Sequence, residues 1–442
     1  MNMKKQTLIF EIIPTYIVIF MPALLITGPF LSDLGVSIVS ILFLINSKNN
    51  NLLKYYNNIY FKVFVIFWMI LIISSLLSNN ILVSLKNSLF YFRFGIFSLC
   101  LWYLIEKNIN IIKYIFYSIS ICFLALIIDG YFQYFFGKNL FGIEMYRANR
   151  VSSFFGSELI LGSYLSRFFP ILFALFLFID QKLLVKNKRS LFFITIIFIL
   201  VEGLIVLSGE RLALFFMNLS AIFIILMIND YRRYRFWTYV GSLLFISILL
   251  FSSPIIKQRI IDQTIYDFLR KNEGGEKVLK EVTQERMYLE NGGQKIYIFS
   301  KPHNDMYISA TRIFFDNKFF GVGPRQFRNI CSNYSVSEYS CETHPHNTYI
   351  ELLSEAGIFA FLIVAVLFLL IIFLVSKQFF LKLFNSKKRY FNDFQLCLLG
   401  AIIISIWPFS PSGSFFNNWL SIVYYFPIGI FLWSRNNENK SN

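Results

Sequence analysis

Apolar runs of roughly helical membrane length, separated by short polar segments, fill most of this chain. They fall near 8–28, 30–46, 60–78, 88–105, 111–129, 158–179, 190–208, 211–228, 236–253, 349–376, 394–410 and 414–433. A hydrocarbon core ~30 Å thick takes ~20 helical residues, so the pattern predicts an all-α polytopic membrane protein of about twelve transmembrane helices. Residues 254–348 break the rhythm as one long loop between helices nine and ten. The chain then divides into 1–253 (helices one to nine), 254–348 (loop domain), 349–433 (helices ten to twelve) and 434–442 (tail).

Inside the loop the polar and apolar positions carry structure of their own. Ile255-Ile256, Arg259-Ile260-Ile261, Ile265 and Phe268-Leu269 recur at helical spacing, which predicts an amphipathic helix at the membrane surface, ended by Asn272-Glu273-Gly274-Gly275. Asn291-Gly292-Gly293 stands between Met287-Tyr288-Leu289 and Ile296-Tyr297-Ile298-Phe299 and predicts a hairpin. Tyr307 to Phe315 reads as a helix, broken by Gly321-Val322-Gly323-Pro324. A loop of this length with its own elements is usually functional.

Composition agrees with the pattern. Of 442 residues 56% are hydrophobic and 15% charged, and Phe alone supplies 54, too apolar for a soluble domain. The segment after Met1-Asn2-Met3-Lys4-Lys5 holds Glu11 and Pro14 with no small-residue cleavage site, so it reads as a retained first helix.

Charge sets the expected orientation. A cytoplasmic N-terminus puts Lys48, Lys54 and Lys62, then Lys107 and Lys113, then Lys182, Lys186, Lys188 and Arg189 inside, in line with the positive-inside rule. Arg232, Arg233, Arg235, the 377–389 cluster, Arg435 and Lys440 follow suit, so both termini are expected in the cytoplasm and the 254–348 loop in the periplasm. The formal charge of +16 then reflects topology and calls for no nucleic-acid partner. Cys100, Cys122 and Cys397 sit in apolar spans, whereas Cys331 and Cys341 share the loop in an oxidising compartment, where a disulfide would close a short segment just before His344.

Ionisable residues within spans gather toward the loop side: Arg93, Arg167, Glu202 and Arg211, with Arg147 and Arg150 in a neighbouring loop. Guanidinium binds phosphate bidentately and keeps its charge when partly desolvated, which suits an anionic lipid head group. The structural alternative is an ion pair such as Glu202 with Arg167. Arg211, in the turn Ser208-Gly209-Glu210-Arg211, is the strongest anion ligand.

All three histidines, His303, His344 and His346, lie in the loop, the last two as His344-Pro345-His346-Asn347 before span ten. Imidazole accepts protons near neutral pH and could deprotonate a hydroxyl. Two further readings stand beside this one: helix capping at the start of span ten, and metal binding. For the metal, no carboxylate cluster stands at ligand spacing, although Glu342 is adjacent.

His346-Asn347, nine intervening residues and Gly357, within His-Asn-Thr-Tyr-Ile-Glu-Leu-Leu-Ser-Glu-Ala-Gly, resembles the signature of the bacterial O-antigen ligase and O-antigen polymerase superfamily. Phe319-Phe320-Gly321-Val322-Gly323-Pro324, Ser208-Gly209-Glu210-Arg211 and Arg150-Val151-Ser152-Ser153-Phe154-Phe155-Gly156 are similar to segments of that family. In two places the chain departs from it: Ala360 follows the motif glycine by three, and an Arg-x-x-x-Leu pattern becomes Arg211 to Phe215.

The resemblance implies transfer of a glycan from an undecaprenyl-pyrophosphate carrier to an acceptor hydroxyl, of lipid A-core type or another glycan, at the outer face of the bacterial inner membrane, with membrane lipids around it and no cofactor or metal. His346 would be the base or acceptor-orienting group, and Asn347 would fix its ring or the substrate. Arg211 with Arg312 or Arg325 would bind the pyrophosphate, Arg150 being a further candidate and His344, His303 and Arg167 secondary ones. Cys331, Cys341 and Gly357 would be structural. Ligases, repeat-unit polymerases and protein-glycosylating relatives share this motif, and a lipid-linked oligosaccharide transporter or a passive anchor are competing classes. A transporter predicts inverted repeats, which the chain does not display.

Overall fold

The computed structural model describes residues 8–146, 150–183, 188–262, 264–265, 289–291, 294–296, 300–384 and 388–441. Each of the twelve expected segments is helical. A π-helical turn, Leu8–Ile12, leads into α1 (Ile13–Ile26), followed by α2 (Pro29–Asn50), α3 (Ile59–Leu76), α4 (Ile81–Leu89), α5 (Phe92–Lys107) and α6 (Asn110–Phe136). Then come α7 (Leu161–Leu183), α8 (Lys188–Ser208), α9 (Arg211–Met227) and α10 (Arg232–Ser252). The loop region contributes α11 (Lys301–Asp316), and α12 (Thr348–Leu383), α13 (Asp393–Ser405) and α14 (Asn418–Ser441) complete the bundle. Among the described residues nine segments are long and apolar enough to cross a membrane, while α9 and α13 are shorter apolar helices. The protein is a helical, polytopic membrane protein.

Edges moved where polar residues are buried against protein. The fourth span was expected to open at 88, yet α4 begins at Ile81 and breaks before α5. Ser84 and Ser88, which depress the apolar pattern, are satisfied by Ser75 on α3: Ser84 Oγ donates to Ser75 Oγ at 2.9 Å and the Ser75 and Ser88 hydroxyls lie 2.7 Å apart. The α14 helix runs on to Ser441 through the expected tail.

In the loop, α11 starts six residues earlier than Tyr307, with Pro302 in its first turn, where a fixed φ and a missing N–H cost nothing. Leu289–Asn291 pairs antiparallel with Gln294–Ile296, so Asn291, expected in the turn, lies in a strand; Met287-Tyr288, Gly292-Gly293 and Tyr297-Ile298-Phe299 of the expected hairpin lie outside the described residues. The surface helix opens as Pro254–Lys257 and a π-helical turn, Gln258–Asp262. Its expected continuation at Phe268-Leu269 and stop at Asn272 lie outside the described residues, as does Arg147.

Two faces can be recognised from contacts at the helix ends. On one, Trp419 Nε1 donates to Leu25 O at 3.0 Å, Arg93 pairs with Asp33 at 2.6 Å and Arg150 Nε donates to Ser208 O at 2.7 Å. On the other, Lys54 pairs with Glu106 at 2.8 Å and Tyr231 donates to Asp180 at 2.6 Å. There Lys382 Nζ reaches Leu226 O at 2.7 Å, putting a cation on the C-terminal carbonyls of α9. The histidine motif and loop domain belong to the first face.

Between the faces, helices approach closely where small residues permit, as expected when hydrocarbon supplies no hydrophobic drive. On α14 a Cβ added at Gly429 would lie 2.8 Å from Ser98 O of α5, and Ser98 Oγ donates to Tyr425 O at 2.8 Å. The apolar core runs through Phe94, Phe97, Phe168 and Phe426.

Candidate active site

The site begins with a break in α12. Its first turns, Thr348–Glu351, pass into a π-helical turn, Leu352–Ala356, and the ladder stops at Gly357, whose φ is +77°. The carbonyls left without helical partners are taken by the loop domain: Val322 N donates to Ser354 O at 3.1 Å and Gly323 N to Glu355 O at 2.8 Å. Ser74 Oγ adds a bond to Glu355 O at 3.0 Å. A Cβ on Gly357 would sit 2.5 Å from Phe320 N, and one on Gly321 2.6 Å from Ala356 N. The glycines of both sequence motifs therefore sit where two backbones cross with no room for a side chain.

Two buried carboxylates pin further loops to this break. Glu355 accepts from Arg325 N at 2.6 Å and Phe327 N at 2.8 Å. Glu351 accepts from Ser414 Oγ at 2.5 Å and Phe415 N at 2.7 Å. Asn347 performs the same service at the helix start: Oδ1 accepts from Tyr349 N and Ile350 N, and Nδ2 donates to Pro408 O at 2.9 Å and Ser410 O at 3.1 Å. It is an N-cap and a latch. Asn347, expected to fix the His346 ring or the substrate, here spends its side-chain oxygen and nitrogen on backbone groups.

The three histidines converge. The His344 and His346 rings lie 4.0 Å apart between centroids, and His303, from α11, stands edge-on to His346 at 5.6 Å. His346 has a left-handed φ of +54°, and its carbonyl accepts from Ser412 N at 2.7 Å and Tyr307 Oη at 3.3 Å. Its Nε2 is 2.9 Å from Glu342 Oε2, and Nδ1 makes no hydrogen bond among the described residues. Burial, then the adjacent His346 charge, pushes the His344 imidazole down to about 3, so His344 is neutral where its Nε2 lies 3.4 Å from Ser412 O. Among the described residues no three His, Cys, Asp or Glu are grouped to hold a metal ion.

A disulfide joins Cys331 to Cys341, as expected from their shared loop, and seats Cys331 in a small core with Ala310, Ile313, Val322 and Phe327. The bridge ends one residue before Glu342.

A second group forms at the Ser208-Gly209-Glu210-Arg211 turn. Gly209 has φ +67°, and a Cβ there would lie 3.0 Å from Arg259 Nη1 and 3.3 Å from Arg150 Nε. Arg211 Nη1 donates to Thr264 Oγ1 at 3.2 Å, one turn after Arg259. Glu210 lies beneath, accepting from Gly162 N at 2.7 Å and Ser163 N at 2.9 Å at the start of α7. Burial pushes its carboxyl up to about 7, against those bonds and the charges of Arg150 and Arg167. Arg259 was read only as part of an amphipathic pattern; burial depresses its pKa, and it brings a third guanidinium to the turn.

Arg167 is buried in α7, bonded to Ser163 and stacked 5.1 Å from the Phe216 ring, with no hydrogen-bond partner for Nε among the described residues. It does not pair with Glu202, whose carboxylate oxygens have no hydrogen-bond partner among the described residues, so that alternative is corrected. The structural reading does hold for Arg93, which is committed to Asp33. Arg325, at φ +61°, donates through Nη2 to Phe416 O at 2.7 Å and sits with Glu355, apart from the Gly209 turn in its bonding; burial lowers its pKa. Arg312 is half-buried on α11.

Glu342, Glu351 and Glu355 went unassigned from sequence. Glu351 and Glu355 could have been found as the only acids of the 349–376 apolar run, four residues apart and hence on one helix face.

Residues 193–365 match the family model described as O-antigen ligase. The matched stretch contains the Gly209 turn, the loop domain, the histidines and the Gly357 crossing. No curated protein matches the chain.

Proposed function

We propose that this chain, whose residues 193–365 match a family model described as O-antigen ligase, belongs to the O-antigen ligase and polymerase superfamily and transfers a glycan from undecaprenyl pyrophosphate to an acceptor hydroxyl at the periplasmic face of the bacterial inner membrane. The observation that carries the reading is the occurrence, on one face, of a histidine with an open ring nitrogen and a turn ringed by Arg150, Arg211 and Arg259. One supplies a base and the other a cationic seat for a leaving pyrophosphate.

In this mechanism His346 Nδ1 takes the proton of the acceptor hydroxyl as its oxygen attacks the anomeric carbon. The bond from that carbon to the phosphate oxygen breaks, and the electron pair leaves with the carrier pyrophosphate. Arg150, Arg211 and Arg259 neutralise the charge that develops there. Asn347, Glu351 and Glu355 bond to the backbone of neighbouring loops and keep those loops in register. Both termini then lie in the cytoplasm, and the basic residues Arg232, Arg235, Lys382 and Arg389 lie on that side, in keeping with the positive-inside rule.

The test is transfer in liposomes from a lipid-linked donor to a lipid A-core acceptor. His346→Ala should abolish it; full transfer by that variant would refute the assignment. A ligase leaves carrier-linked polymer behind when its gene is deleted, whereas a repeat-unit polymerase leaves single repeat units. Movement of donor without a new glycosidic bond would mark a transporter.

A further inference from the structure

We infer that Glu342 is a positioning residue that fixes which nitrogen of His346 acts as base, an inference that rests on the reading of His346 as the base. Its carboxylate oxygen lies 2.9 Å from Nε2. A carboxylate accepts and does not donate, so Nε2 carries the proton and the lone pair stays on Nδ1, the nitrogen left open. The same logic orients the imidazole of hydrolytic triads, where the carboxylate also stabilises the imidazolium that forms.

The surroundings leave this task to Glu342. Tyr307 and Ser412 bind the His346 carbonyl, not its ring. His344 faces the ring plane and is held neutral; His303 presents its edge and has Ser300 Oγ 2.6 Å from Nδ1. Arg328 is the cation within electrostatic range of His344. Among the described residues Glu342 is therefore the one hydrogen-bond partner of the ring and its one counter-charge in direct contact. The Cys331–Cys341 bridge anchors the residue before it, and His346, four residues on, has a left-handed backbone.

Glu342 is more than half exposed and makes no other bond among the described residues, so Glu342→Gln and Glu342→Ala should fold as the parent does. Two readouts decide the matter. With only three histidines in the chain, ring nitrogens can be assigned by ¹⁵N-histidine NMR in nanodiscs, using His346→Asn as the blank. The parent should show a protonated Nε2 and an unprotonated Nδ1 for His346, and Glu342→Ala a mixture. In the transfer assay, loss of the carboxylate should reduce turnover roughly tenfold, as for other partners that orient a functional imidazole.

A purely structural role would lower turnover and leave the tautomer where it is; that result overturns the inference. Transfer persisting in His346→Ala would instead overturn the base assignment itself, while the tautomer measurement would still report whether Glu342 orients the ring.

Discussion

Gly357 and Phe320 pass each other with a gap that a methyl group cannot enter: a Cβ at Gly357 would lie 2.5 Å from Phe320 N, at a φ of +77°. Gly357→Ala therefore meets a backbone clash and an unfavourable conformation together. The expected loss is roughly 3 kcal/mol or more, concentrated where the loop domain meets α12. Hydrogen exchange should show Val322 and Gly323 amides losing protection before the helices do. Parent-like protection at those amides would contradict this account.

Asn347 offers a finer division. Ala removes both the cap of α12 and the bonds to Pro408 O and Ser410 O, costing about 2–3 kcal/mol from a lost cap and two stranded carbonyls. Asp keeps the cap but sets a carboxylate against those carbonyls, so Asn347→Asp should be no more stable than Ala. Thermal unfolding in detergent compares them. An Asp variant as stable as the parent would show that the latch to 408–410 contributes nothing.

The spans were legible because their lengths are imposed by the bilayer, and α6, α8 and α12 announce themselves as apolar runs. Where a helix buries serines against a neighbour, as α4 does at Ser84 and Ser88, hydropathy understates it. In the site, residues of unusual type or motif spacing were found: His346, Arg211, Gly357. Glu351 and Glu355 were not, since their meaning lies in which distant N–H groups they accept, at Phe415, Arg325 and Phe327, and no local pattern encodes that. Asn347 was singled out by its motif position, and its role as the cap of α12 and a latch to 408 and 410 follows from bonds that the motif does not encode.

Burial holds His344 at about 3, well below its ordinary value near 6.5. Between those values the unfolded chain binds a proton that the folded one refuses, so stability is intact above about pH 6.5 and falls as pH drops toward 3. Hydrogen exchange of the 300–348 segment at stepped pH should show this loss, and His344→Gln should flatten it. An unchanged slope in the variant would remove His344 as the cause.

The Cys331–Cys341 bridge spans ten positions, and closing so short a loop contributes about 2–3 kcal/mol through the unfolded ensemble. Replacing both cysteines by Ser should loosen the segment that leads into Glu342 and His346 while leaving the bundle intact. Limited proteolysis between 331 and 341, alongside unchanged helical circular dichroism, is the expected outcome. Resistance equal to the parent would show that the small core around Phe327 holds the segment unaided.

Arg259 gives the most direct test of the cationic turn, because neither its spacing nor its motif context singled it out. Its side chain passes over Gly209, beside Arg150, on the segment that also binds Arg211 through Thr264. If the turn seats a pyrophosphate, Arg259→Ala should raise the donor concentration needed for half-maximal transfer about tenfold, the worth of one charge-assisted bond, with little change in the response to acceptor. Arg259→Lys should recover only part of that, since an ammonium cannot bridge two phosphate oxygens in the way a planar guanidinium does. Gly209→Ala, which would push Arg259 aside without altering any charge, should reproduce the donor defect. Equal donor response in all three variants would mean that the three arginines serve the fold and that the carrier pyrophosphate is held elsewhere.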